Sequence, residues 1–261
     1  MLELINIKKT FNKGTPNEFL LYDGLSLKAE KGEHIVVVGS NGSGKSTLLN
    51  VIAGSIYPDS GAILLDNKDV TNKKEFVRSR DIGRVFQDPK MGTCSTMTIM
   101  ENMSLANNKG QNYGMKLGLA KDKREHFKEM LSQLGISLEE KMETKAGELS
   151  GGQRQALALL MATMGDPKIL LLDEHVAALD PKTSSIVMQL TQSFMKEEMT
   201  SIMVTHNLSD ALKYGTRLIM LHKGKVLLDI KGEEKKQMTI DSLIHMFSKE
   251  EDVFTDTMLF Q

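Results

Sequence analysis

The stretch Ile35-Val36-Val37-Val38-Gly39-Ser40-Asn41-Gly42-Ser43-Gly44-Lys45-Ser46-Thr47 decides the fold. A short apolar run has the length of a buried strand, and it feeds a glycine loop. The loop opens a helix expected over Ser46 to Ala53, ended by Gly54. Gly39 to Ser46 fits G-x-x-x-x-G-K-[ST], set between strand and helix as its mechanism requires. Glycines let the backbone curl so that successive N–H groups point at phosphate oxygens. The helix adds its positive end. Lys45 can neutralise the β- and γ-phosphates, and Ser46 can offer a hydroxyl to Mg²⁺. A chance match in such a chain is on the order of one in a hundred. The loop by itself does not choose among kinases, GTPases and ATPases.

Working outward, a second apolar run, Ile169 to Leu172, delivers Asp173 and Glu174 at its C-terminal end. That end is where ligands bind in an open α/β sheet. Asp173 is suited to hold Mg²⁺, directly or through water. Glu174 can orient and polarise an attacking water. Gln87 ends a shorter strand, Ile82 to Phe86, and could reach the metal or the water. His206 leaves the strand Ser201 to Val204 in the same way and could contact a γ-phosphate. Alone, each of these has a bland explanation as a charged or polar surface turn.

Between these segments stands Leu149-Ser150-Gly151-Gly152-Gln153. Ser150 and Gln153 fit the capping box S-x-x-Q of a helix running to about Met164. Two glycines in a first turn cost roughly 1 kcal/mol each relative to alanine. They are understandable if a phosphate must approach the backbone, which makes Ser150, Gly151 and Gly152 a second anion site. One chain with one nucleotide does not need it, so two chains are expected to close on one ATP.

The remaining pattern is α/β. Leu2 to Ile7, Leu25 to Ala29 and Ala62 to Leu65 read as strands, with a loop over Asn12 to Glu18. Thr98 to Met142 is helical in pattern, with polar loops near Asn107 to Tyr113. Pro181 to Glu197 and Leu208 to Tyr214 read as helices, and Leu218 to Ile230 as a hairpin about His222-Lys223-Gly224. Glu233 to Gln237 is a charged run expected in a solvated loop or helix face, followed by an amphipathic helix over Thr239 to Phe247. Strands alternating with helices predict a mainly parallel central sheet.

The chain has 261 residues and a formal charge of −1, which argues against a general nucleic-acid binder. Cys94 is its single cysteine, so no internal disulfide forms and a reducing cytosolic setting is expected. No secretory signal and no membrane span of roughly 20 apolar residues is found. Any link to a membrane runs through another protein. The 18 methionines read as adaptable core filler.

With these residues in order, the chain resembles the ATP-binding subunit of ABC transporters over about Leu2 to Ile230. Gly39 to Ser46 looks like Walker A, Leu149 to Gln153 like the signature, and Asp173-Glu174 like the end of Walker B. Gln87 is similar to the Q-loop glutamine, Ala178-Leu179-Asp180 to the D-loop, and His206 to the switch histidine. The resemblance implies a P-loop RecA-like core with an N-terminal antiparallel β subdomain and an inserted helical subdomain at about 88–164. Residues 1–232 would form the ATPase domain and 233–261 a short C-terminal helix and tail. It implies ATP and Mg²⁺ as cofactors, with Gly39, Ser40, Asn41, Gly42, Ser43, Gly44, Lys45, Ser46 and Thr47 on the nucleotide. Ser46, Gln87 and Asp173 would hold the metal. Glu174, His206, Gln87 and Lys45 would be catalytic.

The same resemblance implies a head-to-tail dimer in which Ser150, Gly151 and Gly152 complete the partner's site. Phe11 is similar in position to the aromatic that stacks on adenine, with Phe19 and Tyr22 as competitors. An integral membrane permease would be driven, with a solute-binding protein reached through it, from the cytoplasmic face of the cell membrane. His175 departs from the pattern, standing where many members have proline. That departure should alter the turn's stiffness more than its chemistry. Similar Glu-His strings occur in importer ATPases paired with binding lipoproteins for aromatic amino acids. A soluble ABC ATPase of iron–sulfur cluster assembly is the alternative, and an ABC-type DNA-repair or translation factor a more distant one.

Overall fold

The computed structural model describes residues 1–109 and 121–250. Most of the loop expected near Asn107 to Tyr113, and the tail from Asp252, lie outside the described residues. In chain order the elements are β1 (Leu2–Phe11), β2 (Phe19–Ala29), β3 (His34–Val38), α1 (Lys45–Ala53), β4 (Ser60–Leu65), β5 (Lys68–Asp69), α2 (Glu75–Arg78) and β6 (Ile82–Val85). Then follow α3 (Ile99–Asn107), α4 (Lys121–Ser132), α5 (Gly151–Thr163), β7 (Ile169–Asp173), α6 (Pro181–Phe194) and β8 (Thr200–Val204). The chain continues through α7 (Leu208–Lys213), β9 (Arg217–His222), β10 (Lys225–Lys231), α8 (Gly232–Gln237) and α9 (Ile240–Glu250). Two compact units result: Met1–Lys74 with the segment from Thr200 onward, and Glu75–Met199.

In the first unit, β2, β1, β4 and β5 form an antiparallel sheet. Leu2, Leu4 and Ile7 of β1 turn inward and are buried. The same unit carries β3 between β8 and β9, parallel to both, with β10 antiparallel on β9. β3 is apolar on both faces, with Ile35 to Val38 at 0–1% exposure, as a strand covered on both sides must be. The hairpin turn is tighter than expected. His222 belongs to β9, leaving Lys223 and Gly224 as a two-residue turn with both φ positive. Its glycine is also obligatory because a Cβ at Gly224 would overlap the Leu21 carbonyl.

The charged run Glu233 to Gln237 is helical, and one of its lysines is not solvated. Lys235 is buried, and its Nζ donates to the carbonyls of Leu212 (2.8 Å) and Tyr214 (3.1 Å) at the end of α7. A cation there neutralises orphan carbonyls and the helix dipole. Nearby, Arg217 donates to both carboxylate oxygens of Asp229, at 2.5 and 2.6 Å, and to Glu33 at 3.0 Å.

In the second unit, β6 and β7 pair in parallel, and α5 lies against β6. Gly83 allows that approach, since a Cβ there would overlap the carbonyl of Ala162. The methionine excess is largely core: Met100, Met103, Met142 and Met188 are buried, whereas Met91 is exposed. A backbone carbonyl cannot rotate away as a side chain can. Gly83→Ala is therefore expected to cost about 1–3 kcal/mol of stability. The urea midpoint should fall accordingly, and an unaltered midpoint would contradict this packing.

Candidate active site

The glycine loop of the first unit is built by backbone freedom. Gly39, Gly42 and Gly44 all have positive φ, at 151°, 78° and 107°. A Cβ on Gly39 would overlap the Leu221 carbonyl of β9. Lys45 is only 6% exposed, and its Nζ donates to the carbonyls of Gly39 (2.8 Å) and Ser40 (3.0 Å). Its charge is thus folded onto the loop that would cradle phosphate. The Ser43 hydroxyl is buried with no hydrogen-bond partner among the described residues. Tyr22 supports the loop from beneath: its hydroxyl donates to the Gly44 carbonyl at 2.6 Å.

That support corrects one expectation. Tyr22 is 0% exposed, and burial pushes its phenol well above the ordinary range, so it cannot be an adenine platform. Phe11 and Phe19 remain, facing each other in the β1–β2 register. Phe11 is half-buried, with the Lys9 ammonium 5.5 Å from its ring, and Phe19 is exposed. At the opposite strand ends, Val37 pairs with Val204, and Thr205 N donates to the Val37 carbonyl. Two residues further, Gly39 and His206 leave the same edge at the same level. His206 lies one residue before Asn207, the N-cap of α7, whose side chain accepts from Asp210 N. Burial raises the Asp210 carboxyl above its usual range, while Lys213 and His206 pull it down.

The second unit repeats this geometry. Val85 pairs with Leu172, which brings Gln87 and Glu174 out level with each other. Gln87 Nε2 donates to Glu174 Oε2 at 3.4 Å, a long bond between two groups expected to face one reacting centre. Glu174 has φ +42°, a left-handed conformation that costs a non-glycine residue about 1 kcal/mol. The turn is closed by Ala177 N donating to the Glu174 carbonyl at 3.0 Å. Asp173 is 8% exposed, and its Oδ2 lies 3.8 Å from the Arg84 guanidinium, a partner that sequence reading missed.

His175 also gains a structural account. It is 2% exposed, and burial pushes its pKa down to about 4, so it is neutral near pH 7. Its Nε2 lies 3.0 Å from Thr191 Oγ1 of α6, and that hydroxyl donates to the Val187 carbonyl at 2.8 Å. With the threonine proton engaged there, His175 Nε2–H is the donor. The imidazole therefore ties the turn after Glu174 to the body of α6. A buried hydrogen bond, rather than a proline ring, thus fastens this turn.

The helix start expected as a second anion site also lies in the second unit. Ser150 caps α5 through a full capping box, its Oγ accepting from Gln153 N while Gln153 Oε1 accepts from Ser150 N. Ser150 and Gly151 are exposed, but Gly152 is buried. A Cβ on Gly152 would overlap Thr183 Cγ2 of α6. Packing alone therefore demands this glycine, and its presence is no independent sign of a phosphate. Further along α5, the buried Gln155 donates to the Phe86 carbonyl at 3.1 Å, tying the helix to the strand end that carries Gln87.

A glycine cradle with a buried, unpaired hydroxyl and a folded-in lysine suits a polyphosphate. These features define a P-loop nucleoside triphosphatase. The family model described as "ABC transporter" matches residues 22–177. The chain is 47% identical over 250 residues to a tyrosine transport ATP-binding protein of Clostridioides difficile, covering 95% of this chain and 98% of the relative. It is 37% identical over 210 residues to the thiamine import ATP-binding protein ThiQ of Escherichia coli, covering 80% and 85%. The dimeric cassette MJ0796 in a post-hydrolysis state with ADP and Pi superposes with a TM-score of 0.76, at 30% identity, covering 88% of this chain and 98% of that one.

The chain therefore belongs to the ABC transporter family as an ATP-binding ATPase with the RecA-like P-loop fold. Within it, the Gly152–Thr183 contact separates packing from chemistry. Gly152→Ala is expected to lower the melting temperature by several degrees, as overpacking of about 1–3 kcal/mol would. Adding Thr183→Ser should restore both stability and turnover, because alanine keeps the backbone N–H. Stability restored without turnover would show that the glycine serves the nucleotide as well.

Proposed function

We propose that this ATPase is the motor subunit of an importer, working as a head-to-tail pair of identical chains on a membrane permease. The observation that carries this reading is the exposed, fully capped helix start at Ser150–Gly151, about a hundred residues along the chain from its own glycine loop. In the paired form, Ser150, Gly151 and Gly152 of one chain would meet the γ-phosphate held by residues 39–47 of the other. The relatives named for tyrosine transport and thiamine import support the importer direction. They lend no support to the iron–sulfur-assembly alternative.

Ser46, Asp173 and Gln87 would hold Mg²⁺, which supplies charge neutralisation for the phosphates. Glu174 Oε2, already beside Gln87 Nε2, would accept the proton of the attacking water. Lys45 would move from the loop carbonyls to the β- and γ-phosphates, and His206 would hold the γ-phosphate from the β8 edge. Phe11, with Phe19 opposite it, would stack on adenine. ATP drives closure only through its differential affinity for the closed pair, which comes from γ-phosphate contacts that ADP lacks.

The segment after Gln87 would receive the permease's cytoplasmic loops. There the Pro89–Gly92 turn presents Met91 at 69% exposure. The 47% identity to the tyrosine-transport relative favours a cargo delivered by an aromatic-amino-acid-type binding lipoprotein. No helix among the described residues is long and apolar enough to cross a membrane. Attachment at the cytoplasmic face would therefore run through the permease.

Glu174→Gln preserves the side chain's shape and removes its basicity. Turnover should fall by about 10²-fold or more. On a sizing column the variant should run as an ATP-bound dimer that ADP does not sustain. Wild-type turnover by this variant would overturn the assignment of Glu174.

A further inference from the structure

Arg84 is the one charged side chain of β6, and its neighbours are unusual for a guanidinium. Arg84 pairs in register with Leu171, so Asp173 lies two residues on, on the same face of β7. Phe86 lies two residues beyond Arg84 on the same face of the chain. The guanidinium carbon sits 4.4 Å from the Phe86 ring centroid, and Nη2 lies 3.8 Å from Asp173 Oδ2. The Arg84 and Asp173 side chains are only 11% and 12% exposed. Burial lowers the arginine's pKa while Asp173 and Glu75 raise it, so the ion pair works against desolvation. At 3.8 Å the contact is an ion pair beyond hydrogen-bonding range, and the ring face gives the guanidinium a second hold.

Cation and carboxylate so placed compete with a second cation. We propose that Arg84 is the resident counter-ion of Asp173, which Mg²⁺ must outcompete, and that it thereby sets the magnesium affinity of the site. This rests on the assignment of Asp173 to the metal. A divalent ion arriving at Asp173 meets a fixed positive charge a few ångströms away in a partly desolvated setting, where repulsion is felt strongly. Phosphate oxygens can offset that repulsion. The metal is therefore accepted together with its nucleotide and is released readily once the phosphates go. Without Arg84, Asp173 would lose that fixed positive charge, and a divalent ion would reach it at lower concentration. Phe86 acts as the platform that keeps the guanidinium over the carboxylate when the metal is absent.

The test titrates free Mg²⁺ against binding of a fluorescent ADP analogue, which needs no turnover. For Arg84→Gln, the Mg²⁺ concentration at half-effect should fall about tenfold, while affinity for the analogue in EDTA stays unchanged. Phe86→Leu, which loosens the platform and keeps the charge, should shift the half-effect in the same direction by a smaller factor. It gives a second reading if Arg84→Gln does not fold. Arg84→Lys should stay near wild type in Mg²⁺ response. An unchanged or raised half-effect concentration in Arg84→Gln, or in Phe86→Leu if that is the variant that folds, overturns the proposal. Asp173→Asn is the control that separates the two layers. If it leaves the Mg²⁺ dependence intact, the metal assignment itself fails. If it abolishes that dependence while Arg84→Gln matches wild type, only the counter-ion role fails.

Discussion

Parallel pairing of buried strands is the constraint on which the rest of this structure depends. Val37 lies opposite Val204, and Val85 opposite Leu172. Each pairing brings two chain exits to one level. Gly39 leaves beside His206 in one unit, and Gln87 beside Glu174 in the other. A one-residue slip would draw a polar exit residue into the buried run and carry the two exits out of level. The register is therefore enforced by burial, and the polar residues at the exits inherit their positions from it. Chemistry here is located by hydrophobic packing several residues upstream.

Such placement leaves charges at the mouths of apolar strands, and the chain manages each one locally. Lys45 is folded onto the carbonyls of its own loop. Asp173 has Arg84, and Arg84 has the Phe86 ring. Glu174 is aimed by a left-handed backbone, and the following turn is fastened through His175 and Thr191 to α6. The same helix presses Thr183 against Gly152. α6 thus touches the turn after the proposed base and the helix that carries the signature, which gives one rigid element a hold on both.

Much of this was legible in the sequence because it is local or periodic. The glycine loop, the Ser150 capping box, the apolar strand before Asp173 and the helix end at Gly54 depend on neighbours a few residues away. What stayed hidden depends on residues far apart in the chain. Arg84 reads as one charge in a strand until β7 is laid beside it. Gly152 reads as a phosphate glycine until Thr183 is found against it. Tyr22 reads as a candidate adenine platform until its hydroxyl is seen beneath Gly44. Lys235 sits in a run of charges that any composition rule sends to solvent, yet it caps α7. The hairpin turn was misplaced by one residue, because only pairing with Lys225 assigns His222 to its strand.

The central claim is the division of labour between two chains, and mixing two crippled chains tests it most directly. Lys45→Ala disables the glycine loop but leaves Ser150 whole. Ser150→Arg disables the signature but leaves the loop whole. Each should be inactive alone. Mixed in equal amounts, half of the randomly formed pairs combine both kinds, and each such pair keeps one complete pocket. Turnover should return to about a quarter of the wild-type rate if pockets act independently. Persistent silence at every mixing ratio, or normal turnover by Ser150→Arg alone, would contradict the shared pocket.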